Sequence, residues 1–254
     1  MEELLATITH SFPDFAAALA TCGDGYADAD LAEVIAFKAE QPLNPQAILP
    51  EQAINSLVGV GLTAAEITAR PLCVLDFGGG GGFHYFHVAN ATRAALRWAI
   101  VETPVMAACA ARVSRGRFEV HTALADAARS LGAVHLVHTS SALQYLPDPL
   151  ATLAELAALR APHFLLARFP LWHGPMLFSV QTSPLSANGI GPMPPGIVDR
   201  EIRYPVTFVP LPEVMRILEG HGYAMAAAMP SPSSDYFVGS QNVPGVTLMF
   251  RQRG

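Results

Sequence analysis

Five consecutive glycines, Gly78 to Gly82, follow an apolar run and one carboxylate, so that residues 74–82 read V-L-D-F-G-G-G-G-G. Glycine loses more conformational freedom on folding than any other residue. A run of this length between core-like flanks therefore marks backbone that takes positive φ or touches another group closely. Pro71 to Leu75 reads as a buried strand, and Phe83-His84-Tyr85-Phe86 opens a helical pattern. The glycines are thus a tight strand-to-helix turn and not a linker, which would have polar flanks.

Two kinds of cofactor use such a turn, and spacing separates them. The dinucleotide fingerprint G-x-G-x-x-G needs a third small residue for close helix packing. Here Phe83 or His84 would fall in that slot, and both are too bulky. The pattern D-x-G-x-G-x-G is met in full by Asp76, Gly78, Gly80 and Gly82. At these residues the chain resembles motif I of the class I methyltransferases that use S-adenosylmethionine (SAM). The resemblance implies that Asp76, Phe77, Gly78, Gly79, Gly80 and Gly82 receive the methionine end of that cofactor.

The rest of the chain reads as a fold that suits this motif. Residues 1–70 carry amphipathic helical spacing, with starts at Pro13-Asp14 and at Asp28 to Asp30, a break at 41–45 and a further helix from Gln46 to Val58. That segment is expected to be a helical cap. From residue 71 to 254, short apolar runs alternate with helical stretches, the pattern of a doubly wound sheet. The strands are expected at Leu72–Phe77, Arg97–Val101, Arg117–His121, Val134–His138 and His163–Phe169, with Tyr223–Met229 and Gly245–Arg251 as a final antiparallel pair. The fold class is accordingly α/β, a Rossmann-like seven-stranded sheet of the class I methyltransferase type with an N-terminal helical cap. Residues 170–205, rich in proline and glycine, break the rhythm and read as a long loop, either a lid or partner-binding arm or a disordered segment.

Ligands of doubly wound sheets bind beyond the carboxyl ends of the strands, so site candidates follow strands. Glu102, with Thr103 beside it, ends the second strand, where a carboxylate accepts both ribose hydroxyls of an adenosine; it equally suits the N-terminus of the helix that Pro104 opens. After the third strand the acid common in the family is missing. Thr122 and Leu124 stand there, with Leu124 placed to pack on the adenine ring. Thr139, Ser140 and Ser141 follow the fourth strand on the sulfonium side, each also suited to capping the next segment. Candidates for removing a proton from the acceptor are His84, His138 and His173, with Tyr145 and Tyr204 as orienting groups. For each histidine a structural role is the alternative.

Composition excludes several classes of partner. The net charge is -6 and Lys38 is the single lysine, so the clustered cations that nucleic acids require are missing. Cys22, Cys73 and Cys109 are scattered without a C-x-x-C, and the histidine spacings assemble no metal site. No apolar span reaches membrane length, which gives the expectation of a cytoplasmic protein that does not enter the membrane. An apolar fraction of 51% suggests a large core and a homodimer interface. Further segments, among them Gly25-Tyr26, Trp98 to Glu102, Ser140 to Leu146, Val180-Gln181 and Tyr204-Pro205, are similar to a poorly characterised bacterial subfamily of methyltransferases from polysaccharide and natural-product gene clusters. The function this implies is SAM-dependent methyl transfer to a hydroxyl or amine of a small sugar-like or natural-product acceptor. The alternative is a SAM-fold protein with a structural, regulatory or non-methylating role.

Overall fold

The computed structural model describes residues 6–41 and 48–253. The chain begins with β1 (Ala6–Ile8), α1 (Phe15–Leu19), α2 (Ala29–Glu40) and α3 (Glu51–Glu66). It then alternates β2 (Leu72–Phe77), α4 (Phe83–Ala91), β3 (Leu96–Val101), α5 (Pro104–Ser114), β4 (Glu119–His121), α6 (Leu124–Leu131), β5 (Leu136–Ser140), α7 (Pro149–Ala158) and β6 (His163–Pro170). The remainder is β7 (Leu177–Pro184), β8 (Glu201–Phe208), α8 (Leu211–Gly220), β9 (Tyr223–Pro230), β10 (Tyr236–Val238), β11 (Gln241–Val243) and β12 (Gly245–Gln252).

Seven of these strands form one sheet in the order β4-β3-β2-β5-β6-β12-β9, in which β12 runs antiparallel to both β6 and β9. The reversal of strand direction in sequence order falls between β2 and β5, so the tips of β2, β3 and β5 flank one crevice. Strands buried on both faces must be apolar throughout, which is why β2 and β3 read as continuous runs. Leu75, Val101, Val137, Phe164 and Phe250 face α6, α7 and α8, while Val74, Trp98, Leu136, Leu165 and Met249 face the opposite helical layer. Each such side chain contributes about 1.5–3 kcal/mol through removal from water.

Three expectations need correction. The stretch 170–205 is not a loop: β7 and most of β8 lie within it and pair antiparallel over their whole length. Proline hid this ribbon. Pro184 ends β7, and Pro205 sits opposite Val180 in a two-stranded ribbon, where each strand has a free edge that needs no N–H partner. Next, β5 runs on to Ser140, so Thr139 and Ser140 belong to the strand. Last, α3 extends past Gly59 and Gly61 to Glu66 and packs on the sheet: a Cβ on Gly59 would stand 2.8 Å from Leu165. The expected start of that helix at Gln46 lies outside the described residues.

A cap covers the carboxyl ends of the strands. It is built from α1 and α2, the β7–β8 ribbon and a small sheet ordered β1-β10-β11. Asp28 caps α2 by accepting from the Leu31 N–H at 3.1 Å, and Arg200 pairs with both Asp28 and Asp30. Glu33 and Glu40 of α2 pair with Arg112 and Arg115 at α5. Lys38, 4% exposed, donates to the carbonyls of Ser186 (2.6 Å) and Gly189 (3.2 Å), latching α2 to the connection between β7 and β8. Among the described residues no helix is long and apolar enough to cross a membrane.

The seat of α2 on the glycine run is tight enough to test. A Cβ on Gly81 would lie 2.7 Å from Ala36 Cα, a backbone atom that cannot swing aside. Gly81→Ala is expected to lower unfolding free energy by about 1–3 kcal/mol in urea titration, with faster amide exchange in α2.

Candidate active site

The turn after β2 takes positive φ at Gly78 (71°), Gly80 (56°) and Gly82 (91°), the three glycines that the D-x-G-x-G-x-G spacing selects. Side chains adopt these conformations only at a cost. Gly79 is required for a different reason: a Cβ there would stand 2.5 Å from Asp76 Oδ2. Gly79, Gly81 and Gly82 are buried, whereas Gly78 and Gly80 keep exposed surface. The turn is less open than the sequence suggests. Ile35 of α2 comes within 3.1 Å of the Cβ position of Gly80, and Ala142 within 2.3 Å of that of Gly78. Protein packing therefore accounts for part of the glycine requirement, and α2 roofs the bend.

Asp76 does not face the crevice. Its side chain is fully buried, with Oδ1 2.7 Å from His138 Nδ1 and Oδ2 accepting from Trp98 Nε1 at 3.0 Å. Burial opposes its charge, but His138 beside it outweighs that and holds the carboxyl below the usual range. His138 Nε2 lies 3.0 Å from Ser56 Oγ, which is 2.8 Å from His84 Nδ1. The order acid, imidazole, hydroxyl resembles a nucleophile relay, yet Ser56 and His138 are 0% exposed, so no substrate reaches them. Both ring nitrogens of His138 are engaged, which leaves none for an acceptor's proton. His84 is pushed down to about 3 by burial and by the neighbouring His138, so it stays neutral and is a weak base at neutral pH. Sequence reading placed Asp76 at the cofactor and the two histidines at the acceptor; the structure wires all three into one buried network beneath the turn.

The rim of the crevice holds the remaining candidates. Glu102, at the tip of β3, accepts from the Gly80 N–H and the Thr103 N–H, each at 2.9 Å, and so ties the turn to its own strand. Burial, partly offset by those two N–H donors, lifts its carboxyl to about 6. Thr103 and Thr122 are exposed and Leu124 is half-buried at the neighbouring tips, where the Glu102 N–H donates to His121 O at 2.9 Å. At the end of β5, Thr139 is 0% and Ser140 8% exposed, on opposite faces of the strand, and neither hydroxyl has a hydrogen-bond partner. Buried orphan hydroxyls are rare because each costs about 1–3 kcal/mol. Ser141 takes a left-handed φ of 53° and accepts from Gln144 Nε2 at 3.0 Å.

Beyond Ser141 the cap contributes an aromatic cluster. The Tyr26, Tyr145 and Tyr204 rings lie 4.7–5.4 Å apart, and the Tyr145 hydroxyl meets those of Tyr236 and the Gln181 Oε1 at 3.0 Å. His173 is exposed on the connection after β6, apart from this cluster's hydrogen bonds. Among the described residues no three His, Cys, Asp or Glu side chains converge to hold a metal. A surface hollow of about 190 Å³, lined by His10, Ser179, Thr182 and Arg203 among others, lies on the ribbon and shares no residue with the turn.

Arg168 was not singled out from the sequence, although one charge in the apolar strand H-F-L-L-A-R-F-P was a visible signal. Thr247 of β12 faces both Ala167 and Arg168 of β6, a bulge, and Arg168 has a φ of 53°. A non-glycine residue held there costs about 1–3 kcal/mol. Its Nε is buried without a partner.

The strand order, the turn and its rim define the Rossmann-like methyltransferase fold. The CcbJ methyltransferase of Streptomyces caelestis superposes with a TM-score of 0.52 at 13% identity, over 89% of this chain and all of that one. A SAM-dependent methyltransferase from Clostridium acetobutylicum gives 0.49 at 8% identity, over 81% of this chain and 93% of that one. The sugar N-methyltransferase KedS8 from Streptoalloteichus gives 0.48 at 16% identity, over 84% and 99%. At 13% identity the likeness to CcbJ shows the fold alone. No protein-family model matches the chain, and no curated protein matches it.

Glu102 supplies a test of the crevice's electrostatics. Its folded value, about 6, lies above its ordinary 4.5, so the fold binds this proton more tightly than the unfolded chain does. Stability from this group is then present below pH 4.5, falls as pH rises towards 6 and is level above that, by up to about 2 kcal/mol. Glu102→Gln is expected to flatten this segment of the stability profile in urea titrations between pH 4.5 and 7.

Proposed function

We propose that the protein is a SAM-dependent methyltransferase acting on a hydroxyl or amine of a small metabolite, with the cofactor seated across the tips of β2, β3 and β5. The observation that carries this reading is the positive-φ glycine turn, whose Gly78 and Gly80 keep exposed surface beside Glu102 at the tip of β3. Ser140, the last residue of β5, has an unpartnered hydroxyl that fits a ligand supplying its missing hydrogen bond. Glu102 is suited to the ribose because each of its oxygens accepts one N–H and keeps a second lone pair. Gly78 and Gly80 admit the methionine portion, Thr103, Thr122 and Leu124 border the adenine, and Thr139, Ser140 and Ser141 meet the sulfonium side.

When bound, SAM supplies an electrophilic methyl carbon on a sulfonium. The chain's own part is to align an acceptor in line with that carbon, which is worth about 7–11 kcal/mol when the geometry is right. With His138 sealed and His84 held neutral, this reading assigns orientation to the Tyr145 hydroxyl and relies on positioning more than on a strong base. The cap built on α2 excludes water from the crevice. The sugar-like or natural-product character of the acceptor follows from the sequence resemblance.

One observation favours a second reading, a SAM-fold protein with a structural or regulatory role: Ile35 and Ala142 crowd Gly80 and Gly78, where the methionine portion of the cofactor would lie. Turnover of labelled SAM separates the two.

Calorimetry is expected to show SAM and S-adenosylhomocysteine binding with dissociation constants of about 1–100 µM. Glu102→Ala should weaken both by about tenfold or more, and wild-type affinity should rise as pH passes upward through about 6, where Glu102 becomes a better acceptor. Absence of binding by either compound would overturn the proposal.

A further inference from the structure

One arginine stands at a bulge of β6, beside the end of β5. Among the described residues seven arginines pair with carboxylates, and Arg168 belongs with Arg70, Arg93, Arg117, Arg160, Arg203 and Arg253, which do not; it is the arginine whose buried Nε has no acceptor. A guanidinium stays charged and carries five N–H donors, so a buried Nε without an acceptor is a costly arrangement unless something arrives to satisfy it. The bulge and the left-handed φ of Arg168 re-aim a side chain that regular pairing would have turned into the sheet.

Its placement says where it is aimed. Ala167 pairs with Ser140, and its carbonyl accepts the Ser141 N–H at 3.0 Å, so Arg168 stands where β5 ends and the cap begins. Its charge acts on His84 and on Tyr145, Tyr204 and Tyr236. Tyr204 and Tyr236 belong to the cap, and Tyr145 to the turn that follows β5. The charge balance points to one kind of anion. A single guanidinium matches a carboxylate, bidentate and in plane, while a phosphate dianion would need a second cation. Lys38 is tied to Ser186 and Gly189, and His84 is neutral.

We propose that Arg168 recognises a carboxylate on the methyl acceptor, so that the substrate is an acidic small molecule whose body packs against Tyr145. This rests on the methyltransferase reading above. The Nε and one Nη of Arg168 form the two-pronged contact. The bulge at Thr247 holds the fork at the mouth of the crevice, one strand beyond the hydroxyls assigned to the sulfonium side.

The test uses the full chain saturated with S-adenosylhomocysteine and pairs of probes that differ only in charge: 4-hydroxybenzoate with 4-hydroxybenzamide, and D-glucuronate with D-glucose, read by ligand-observed NMR titration. At least one acid is expected to bind about tenfold or more tightly than its neutral partner. Arg168→Gln should abolish that preference, and Arg168→Lys should restore part of it. S-adenosylhomocysteine should bind both variants as it binds wild type, which also shows that they are folded. If no acid is preferred by wild type, or if the preference survives in Arg168→Gln, the proposal is overturned. If Arg168→Gln instead weakens S-adenosylhomocysteine while leaving 5′-methylthioadenosine unaffected, the carboxylate held is the cofactor's and the proposal is likewise overturned. Failure of wild type to bind S-adenosylhomocysteine at all would sink the methyltransferase reading itself, a result distinct from each of these.

Discussion

The contact on which the architecture depends is the one between the buried Asp76 carboxylate and His138, closed on its other oxygen by Trp98. A carboxylate at 0% exposure is tolerable only when its oxygens are satisfied, and here the partners come from β5 and β3, the two strands flanking β2. Three strand tips are thereby pinned beneath the glycine turn. Gly79 has no side chain because the carboxylate occupies that space, and Ser56 carries the network on to α3 and His84. The polar network is internal scaffolding, and the crevice above is shaped by it without having to use it.

The turn is held on two sides. From the sheet side the Asp76 network fixes the strand tips, and Glu102 holds the Gly80 N–H. From the cap side α2 lies on Gly80 and Gly81, itself anchored by Lys38 and by ion pairs to α5 and Arg200. The apolar face of α2, with Ala32 and Ala36 against Met106 and Cys109, makes this a packed roof. Small residues on that face let the helix approach the backbone. The same residues that close the bend thus determine how much room a ligand finds there.

Much of the sheet was legible because burial on both faces leaves a parallel strand little freedom in composition: β2, β3 and β6 are largely apolar runs, and their positions follow. The glycine spacing was legible for an equally direct reason, since positive φ at alternate positions leaves few other residues. What was hidden depended on partners distant in sequence. The β7–β8 ribbon carries prolines that normally argue against strands, and they are admissible only because the ribbon has open edges. The burial of Asp76 depends on His138, which lies 62 residues away in sequence. Arg168 gave a sequence signal, a lone charge in an apolar strand, but its meaning comes from a bulge that only the pairing with β12 reveals.

The central claim is that the crevice over the glycine turn, roofed by α2 and bordered by Glu102 and the end of β5, is where the cofactor sits. Hydrogen exchange measured with and without saturating S-adenosylhomocysteine tests it most directly. The account requires slowed exchange at the amides of residues 78–82, at 102–103 and at 139–141. Unchanged exchange there, or protection confined to the hollow beside His10 and Arg203, would contradict it.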